Sequence, residues 1–153
     1  IKDAKNLSNV PLKKVIKESN LEERVELLQR VPVEEIPNLL KDCHAGVIPS
    51  RKTEATDKVM MPVKFMEYCA LGIPSVVADL DNLRRYVDNH CALLFDPEDE
   101  EGLKNSVAEM MRNHERLNEI TLSLKPFCRK HKWQHSSDTY LEVLEHVKRN
   151  DDE

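Results

Sequence analysis

The sequence predicts an α/β fold built on a parallel sheet with helices on both faces, and three observations support it. Short apolar runs at Ala45–Ile48, Ser75–Ala78 and Ala92–Phe95 have strand length and are rich in Val, Leu and Ile. Segments of helical period separate these runs, so neighbouring strands are joined by crossovers rather than hairpins. From Glu98 onward the pattern is wholly helical.

Taken in order, Asn9-Val10-Pro11 with Leu12, Val15 and Ile16 predicts a short amphipathic helix, capped by Ser8 or Asn9 and ending near Asn20. Val25–Leu28 reads as a strand, Val33–Asp42 as a helix with Ile36, Leu39 and Leu40 on one face, and Ala45–Ile48 as a strand bounded by Pro49. Residues 50–60 have no apolar period and read as a loop. In the next segment, Pro62 suits a first helical turn, Gly72 a left-handed C-terminal cap, and Pro74 stops the helix before strand Ser75–Ala78. Asp81–Val87 is a short helix or turn, and Ala92–Phe95 the last strand. Leu103, Val107, Met110 and Met111 share one helical face, as do Leu117, Ile120 and Leu124 before Pro126 interrupts; Tyr140, Leu144 and Val147 form a third stripe.

The chain of 153 residues is long enough for one domain with a substantial core, and its 40% hydrophobic and 33% charged content fits a globular protein. A net charge of −5 and the lack of a long Lys/Arg run argue against a nucleic-acid partner. No stretch approaches the ~20 apolar residues of a membrane span. Cys43, Cys69, Cys91 and Cys128 are far apart in sequence, which favours free, mostly buried thiols over a disulfide framework or a zinc site. No metal is expected, since His131 and His135 lack a third ligand and His44 and His90 beside Cys43 and Cys91 point in different directions.

The most informative stretch is residues 62–78, where Pro62-x-Lys64-x-x-Glu67-Tyr68-x-Ala70-x-Gly72-x-Pro74-x-Val76-Val77-Ala78 places a carboxylate near the start of a helix that feeds a buried strand. This pattern resembles the signature of the retaining nucleotide-sugar glycosyltransferases of the GT-B fold (glycosyl transferases group 1). Val25–Leu28 with Val31-Pro32 and Glu35–Leu40, Ala45–Ser50, Leu93–Pro97, and Trp133 before Tyr140-Leu141 resemble other segments of that family's C-terminal domain in the same order. The resemblance spans roughly residues 20–147 and rests on the order of several weak motifs.

It implies a Rossmann-like, nucleotide-sugar-binding domain over residues 1–147, without the family's first strands, with a helical C-terminal segment and a disordered tail at 148–153. It also implies that the acceptor-binding N-terminal domain and the basic phosphate ligands lie upstream of Ile1. The intact enzyme would be cytoplasmic or at the cytoplasmic face of a membrane. It would move a sugar from a nucleoside-diphosphate donor to an acceptor hydroxyl, with no cofactor besides that donor.

In open parallel sheets, ligands bind outside the carboxyl ends of the strands. The expected binding residues are therefore Met61, Val63 and Lys64 at an amide-lined helix start, Glu67 one turn deeper on the ribose, Ser50 after its strand, and Arg30 and Val31 near the base. By resemblance, Glu67 matches the second of the family's two glutamates eight positions apart. The first falls on Val59, and Gln29 stands where the family commonly has Gly. No catalytic residue is assigned. Each position also has a plain reading, with Glu67 and Lys64 as solvated helix residues, Ser50 as a turn residue and Arg30 as a loop cation. A sugar-nucleotide epimerase of the same architecture and a non-catalytic scaffold or subunit domain remain open alternatives, and a flavodoxin-like receiver lacks its acidic cluster.

Overall fold

A computed structural model describes residues 10–54, 56, 62–87 and 90–151. Two compact units, Ile1–Asn38 and Leu39–Glu153, divide the span that the resemblance treats as one domain.

In the first unit, α1 (Val10–Glu18) buries Ile16, while Leu12 and Val15 on the same predicted face stay exposed. Asn20 takes φ 53°, and the N–H groups of Asn20 and Leu21 return to the carbonyls of Lys17 and Ile16, closing the helix with a left-handed cap. Val25–Leu28 is not a strand. The Val25 N–H donates to the Leu21 carbonyl at 2.9 Å, which makes a turn, and no ladder partner is present among the described residues. β-propensity cannot hold a strand without a neighbour to bond. A 3-10 turn at Val33–Glu35 leads into α2 (Ile36–Leu40), so the predicted helix of residues 33–42 is shorter and tighter than its periodicity suggests.

The second unit holds β1 (Gly46–Ile48), α3 (Val63–Leu71), β2 (Ser75–Ala78), β3 (Leu93–Phe95), α4 (Glu100–Arg112), α5 (His114–Lys130) and α6 (Trp133–Asp151). The strands form a parallel sheet of order β1-β2-β3 with Val47 opposite Val76 and Val76 opposite Leu93. Every residue of β2 is buried; Val76 and Val77, which point to opposite faces, are each 1% exposed. A strand covered on both sides reads as a continuous apolar run, which is what Ser75–Ala78 shows. The fold is therefore α/β and Rossmann-like, with a helical C-terminal segment. α6 runs to Asp151, past the boundary at residue 147 where the expected tail begins.

α3 ends as its residues predict. Gly72 adopts φ 71°, ψ 25°, its N–H donates to the Cys69 carbonyl at 3.1 Å, and the Ile73 N–H donates to Tyr68 at 2.9 Å. These two bonds form a Schellman cap, with Ile73 buried beside it and Pro74 barring continuation. The buried stripe of α3 is Phe65 and Cys69, and Phe65 meets Phe127 of α5 edge-on, with ring centroids 5.4 Å apart. α5 presents Ile120, Leu124 and Phe127 at helical spacing. Pro126 lies inside α5 and does not interrupt it. The carbonyl that it leaves unbonded belongs to Leu122, which is 77% exposed, so water can satisfy it.

Tyr68 lies across Gly46 at the start of the edge strand. A Cβ at position 46 would come within 2.4 Å of the Tyr68 ring. Gly46→Ala should therefore destabilise the fold by about 1–3 kcal/mol in urea titrations, and Tyr68→Ala should relieve most of that penalty in a double-mutant cycle. Phe65→Ala, which empties a site that is 0% exposed, should cost about 3–5 kcal/mol by the same measurement.

Candidate functional site

The position of the site follows from lengths. Nine helical residues at ~1.5 Å rise span about 13 Å, and four strand residues at ~3.3 Å also span about 13 Å. The Gly72–Pro74 turn reverses the chain between α3 and β2, and α3 packs on β1 of the same parallel sheet, so the N-terminus of α3 lies toward the carboxyl edge of the sheet. The ends of β1 at Ile48 and β3 at Phe95 share that edge because all three strands are parallel. Ser50 follows β1 in a tight turn, its N–H donating to the Ile48 carbonyl at 3.0 Å.

Pro62 is buried and precedes α3 with no side-chain cap, so the first-turn amides of Val63 and Lys64 lack intrahelical acceptors. Phe65 closes the turn through its N–H to the Pro62 carbonyl at 3.0 Å. Uncapped amides and the helix dipole together favour an anion there. The Val63 side chain is 71% exposed and that of Lys64 is exposed, so only the backbone of Val63 has polar chemistry to offer. Glu67 is half-buried and, at ~100° per residue, lies roughly opposite the Phe65–Cys69 stripe, on the side of α3 turned away from the core.

Of the other expected residues, Met61, like Val59, lies outside the described residues. Exposed Arg30 and half-buried Val31 belong to the first unit, in the coil after residues 25–28. The structure thus brings Ser50, Val63 and Lys64 to one edge of one unit, with Glu67 a turn further along α3, while Arg30 and Val31 sit in the other unit.

Three features of this edge escape the sequence pattern. After β1, Thr53 and Thr56 exchange backbone-to-hydroxyl bonds of 2.8 and 3.1 Å. This is the reciprocal geometry of a capping box, with Thr where Glu or Gln is usual. Arg51 and Lys52 place cations just before this threonine pair. After β2, Asp79 receives Nε and Nη2 of Arg84, each at 2.6 Å, in a bidentate pair, and Asp81 lies 4.0 Å from Arg84 Nη1. The five-residue spacing of Asp79 and Arg84 matches neither helix nor strand, so only the turn brings them together. Arg84 is 62% exposed in its side chain, which limits the pair's contribution to about 1 kcal/mol or less. No cluster of potential metal ligands occurs among the described residues. Nor is any described helix long and apolar enough to cross a membrane.

Tyr68 and Cys69, beside Glu67, do not titrate in the ordinary range. Burial first, then the nearby Cys43 and Glu67 charges, push the Tyr68 hydroxyl up. Burial, then Cys128 and Cys91, push the Cys69 thiol up much further. A folded-state value above the unfolded one contributes stability that is complete below the unfolded pKa, ~8.5 for a thiol and ~10 for a phenol, and is lost as pH rises beyond it. The urea midpoint should therefore be flat between about pH 6 and 8 and fall above about pH 9. The fall should be shallower in Cys69→Val than in the unaltered chain.

Residues 7–122 match the family described as glycosyl transferases group 1. Among solved structures, sucrose-phosphate synthase from Thermosynechococcus elongatus superposes with a TM-score of 0.76 at 15% identity, over 91% of this chain and 34% of that one. The chain thus spans about a third of that protein's length, and at this identity the likeness is one of fold. No curated protein matches the sequence.

Proposed function

Because the chain belongs to the glycosyl transferases group 1 family, we propose that it is the donor-binding half of a glycosyltransferase that moves a sugar from a nucleoside diphosphate to an acceptor hydroxyl. The observation that carries this reading is the uncapped N-terminus of α3 at the carboxyl edge, with the Glu67 carboxylate one turn deeper. The Val63 and Lys64 amides would bind the diphosphate, and the Lys64 ammonium would add positive charge. Glu67 would accept both ribose hydroxyls, since a carboxylate can take two hydrogen bonds side by side. Ser50 would contact the donor from the end of β1.

As the glycosidic bond breaks, negative charge builds on the departing diphosphate. Amides held rigidly at a helix end stabilise that charge without reorganising. The proposed chemistry needs no cofactor beyond the donor. The acceptor would bind on a separate domain, and this chain by itself should not turn over. In keeping with a sugar-nucleotide substrate, the enzyme would act in the cytoplasm, on its own or at a membrane's inner face.

Val59, where the family's first glutamate stands, favours a second reading, a non-catalytic domain of the same fold that serves as a scaffold. An epimerase would be told apart by new sugar products formed without acceptor. Calorimetry of the full-length protein with UDP-, GDP- and ADP-sugars tests the donor site, and absence of binding to all three would overturn it. Glu67→Ala should weaken donor binding by about 10- to 100-fold, the cost of hydrogen bonds to a charged group, while moving the unfolding midpoint by less than about 0.5 kcal/mol. A scaffold would keep its function after this substitution.

A further inference from the structure

Cations from two distant segments meet at the C-terminal end of α5. Residues 120–137 contain Lys125, Arg129, Lys130 and Lys132 but none of the 28 acidic residues of the chain. Arg85 joins them because its neighbour Tyr86 lies edge-on to His131, with ring centroids 6.2 Å apart, and His131 in turn stacks on Phe127 at 4.2 Å. The His131 N–H closes α5 on the Phe127 and Cys128 carbonyls at 3.2 and 3.3 Å, so the ring that receives Tyr86 is fixed to the helix end. Arg85, Arg129, Lys130 and Lys132 are all exposed, and none has a carboxylate partner among the described residues. Asp79 and Asp81, in the same turn as Arg85, are engaged by Arg84 instead. Tyr86 stands among these cations with 48% of its surface exposed. The helix dipole accounts for Arg129 and Lys130, since cations are favoured in a last turn. It does not account for Arg85, which comes from another segment, or for Lys132, which lies past the cap.

We propose that this end of α5, with Arg85 and Tyr86 beside it, docks the protein onto an anionic lipid bilayer. The surface shares no residue with the donor site and does not depend on it. Exposed side chains around a helix end enclose no small ligand, so they suit an extended partner. Composition then separates a bilayer from a protein. Lysine is depleted in protein–protein interfaces, whereas Lys and Arg reach lipid phosphates on long apolar stems and tyrosine settles at headgroup level. The net charge of −5 disfavours a nucleic acid. Because every acidic residue lies outside residues 120–137, repulsion from an anionic surface favours the orientation that turns this end toward it. Phe65, in the first turn of α3, meets Phe127 one turn before His131, so docking would hold the start of α3 near the lipid headgroups.

The test is sedimentation of the full-length protein with lipid vesicles. Vesicles of phosphatidylglycerol mixed equally with phosphatidylcholine should carry the protein down at low salt, and vesicles of phosphatidylcholine alone should not. Raising the salt to about 0.5 M should release it, because screening then acts within a few ångströms. Arg129→Gln, Lys130→Gln and Lys132→Gln combined should weaken binding on the order of 100-fold, at roughly fivefold for each cation lost from the surface. The same charge change made in α1, at Lys13, Lys14 and Lys17, should weaken it by less than about threefold, since those charges lie beyond a Debye length of the docked surface. If the α5 variant does not fold, Arg85→Gln with Lys132→Gln, both outside that helix, takes its place. Tyr86→Ala should weaken binding and leave its salt dependence unchanged. Calorimetry with the sugar nucleotide should give the same donor affinity for the α5 variant as for the unaltered protein, so this inference and the donor reading fail separately. No sedimentation with anionic vesicles, equal binding to neutral ones, or equal losses in the α5 and α1 variants would overturn the proposal. So would tighter binding to soluble poly-glutamate than to anionic vesicles, the result expected of a protein-docking surface.

Discussion

The left-handed turn at Gly72 is the constraint on which the rest of the second unit depends. It lets α3 reverse into β2 within three residues, through two backbone hydrogen bonds and one residue at φ 71°. A residue with a Cβ would be strained in that conformation. Once the reversal is made, the direction of α3 is no longer adjustable, because its buried stripe must meet α5 on one side while its axis runs antiparallel to the central strand. In that orientation Phe65 packs edge-on against Phe127 and Cys69 joins the same core cluster. The polar, uncapped end of the helix is then delivered to the carboxyl edge of the sheet.

In the proposed site, that edge would offer groups suited to an anion with hydroxyls attached. The helix dipole and first-turn amides supply partial positive charge, Arg51, Lys52 and Lys64 supply full charges, and Glu67 supplies an acceptor on the face that the core does not use. Asp79 and Arg84 offset each other in a bidentate pair, so the turn after β2 is ordered with little net field. The position opposite the buried stripe also keeps the Glu67 carboxylate out of the core, where among Phe65, Cys69 and Val76 it would need a partner.

The same helix has a second chemistry on its inner side. Burial raises the Cys69 thiol and the Tyr68 hydroxyl and makes both poor acids. Tyr68 covers Gly46 with its ring and fills the space that the missing side chain leaves over the edge strand. One turn of α3 thus presents an outward carboxylate, a core side chain and a cover for the sheet edge through residues 67, 69 and 68, and helical periodicity keeps the three apart.

Local signals were enough to define α3 and β2, because Pro62, Gly72 and Pro74 act on the backbone of their immediate neighbours whatever surrounds them. Helix Val63–Leu71 and strand Ser75–Ala78 have the bounds that those residues predict. The family, too, was legible in the order of motifs along the chain. Val25–Leu28 was not, since a strand exists only where another backbone completes its hydrogen bonds, and apolar composition carries no information about that neighbour. Pro126 was misleading for a related reason: its cost depends on whether the orphaned carbonyl meets water, which the exposure of Leu122 decides. The pairs Asp79–Arg84 and Tyr68–Gly46 arise from turns and helix contacts that only the folded chain creates. Residue order by itself therefore determined what each segment of the site can form, and three-dimensional packing decided which segments meet, because contact between distant residues depends on the path of the whole backbone.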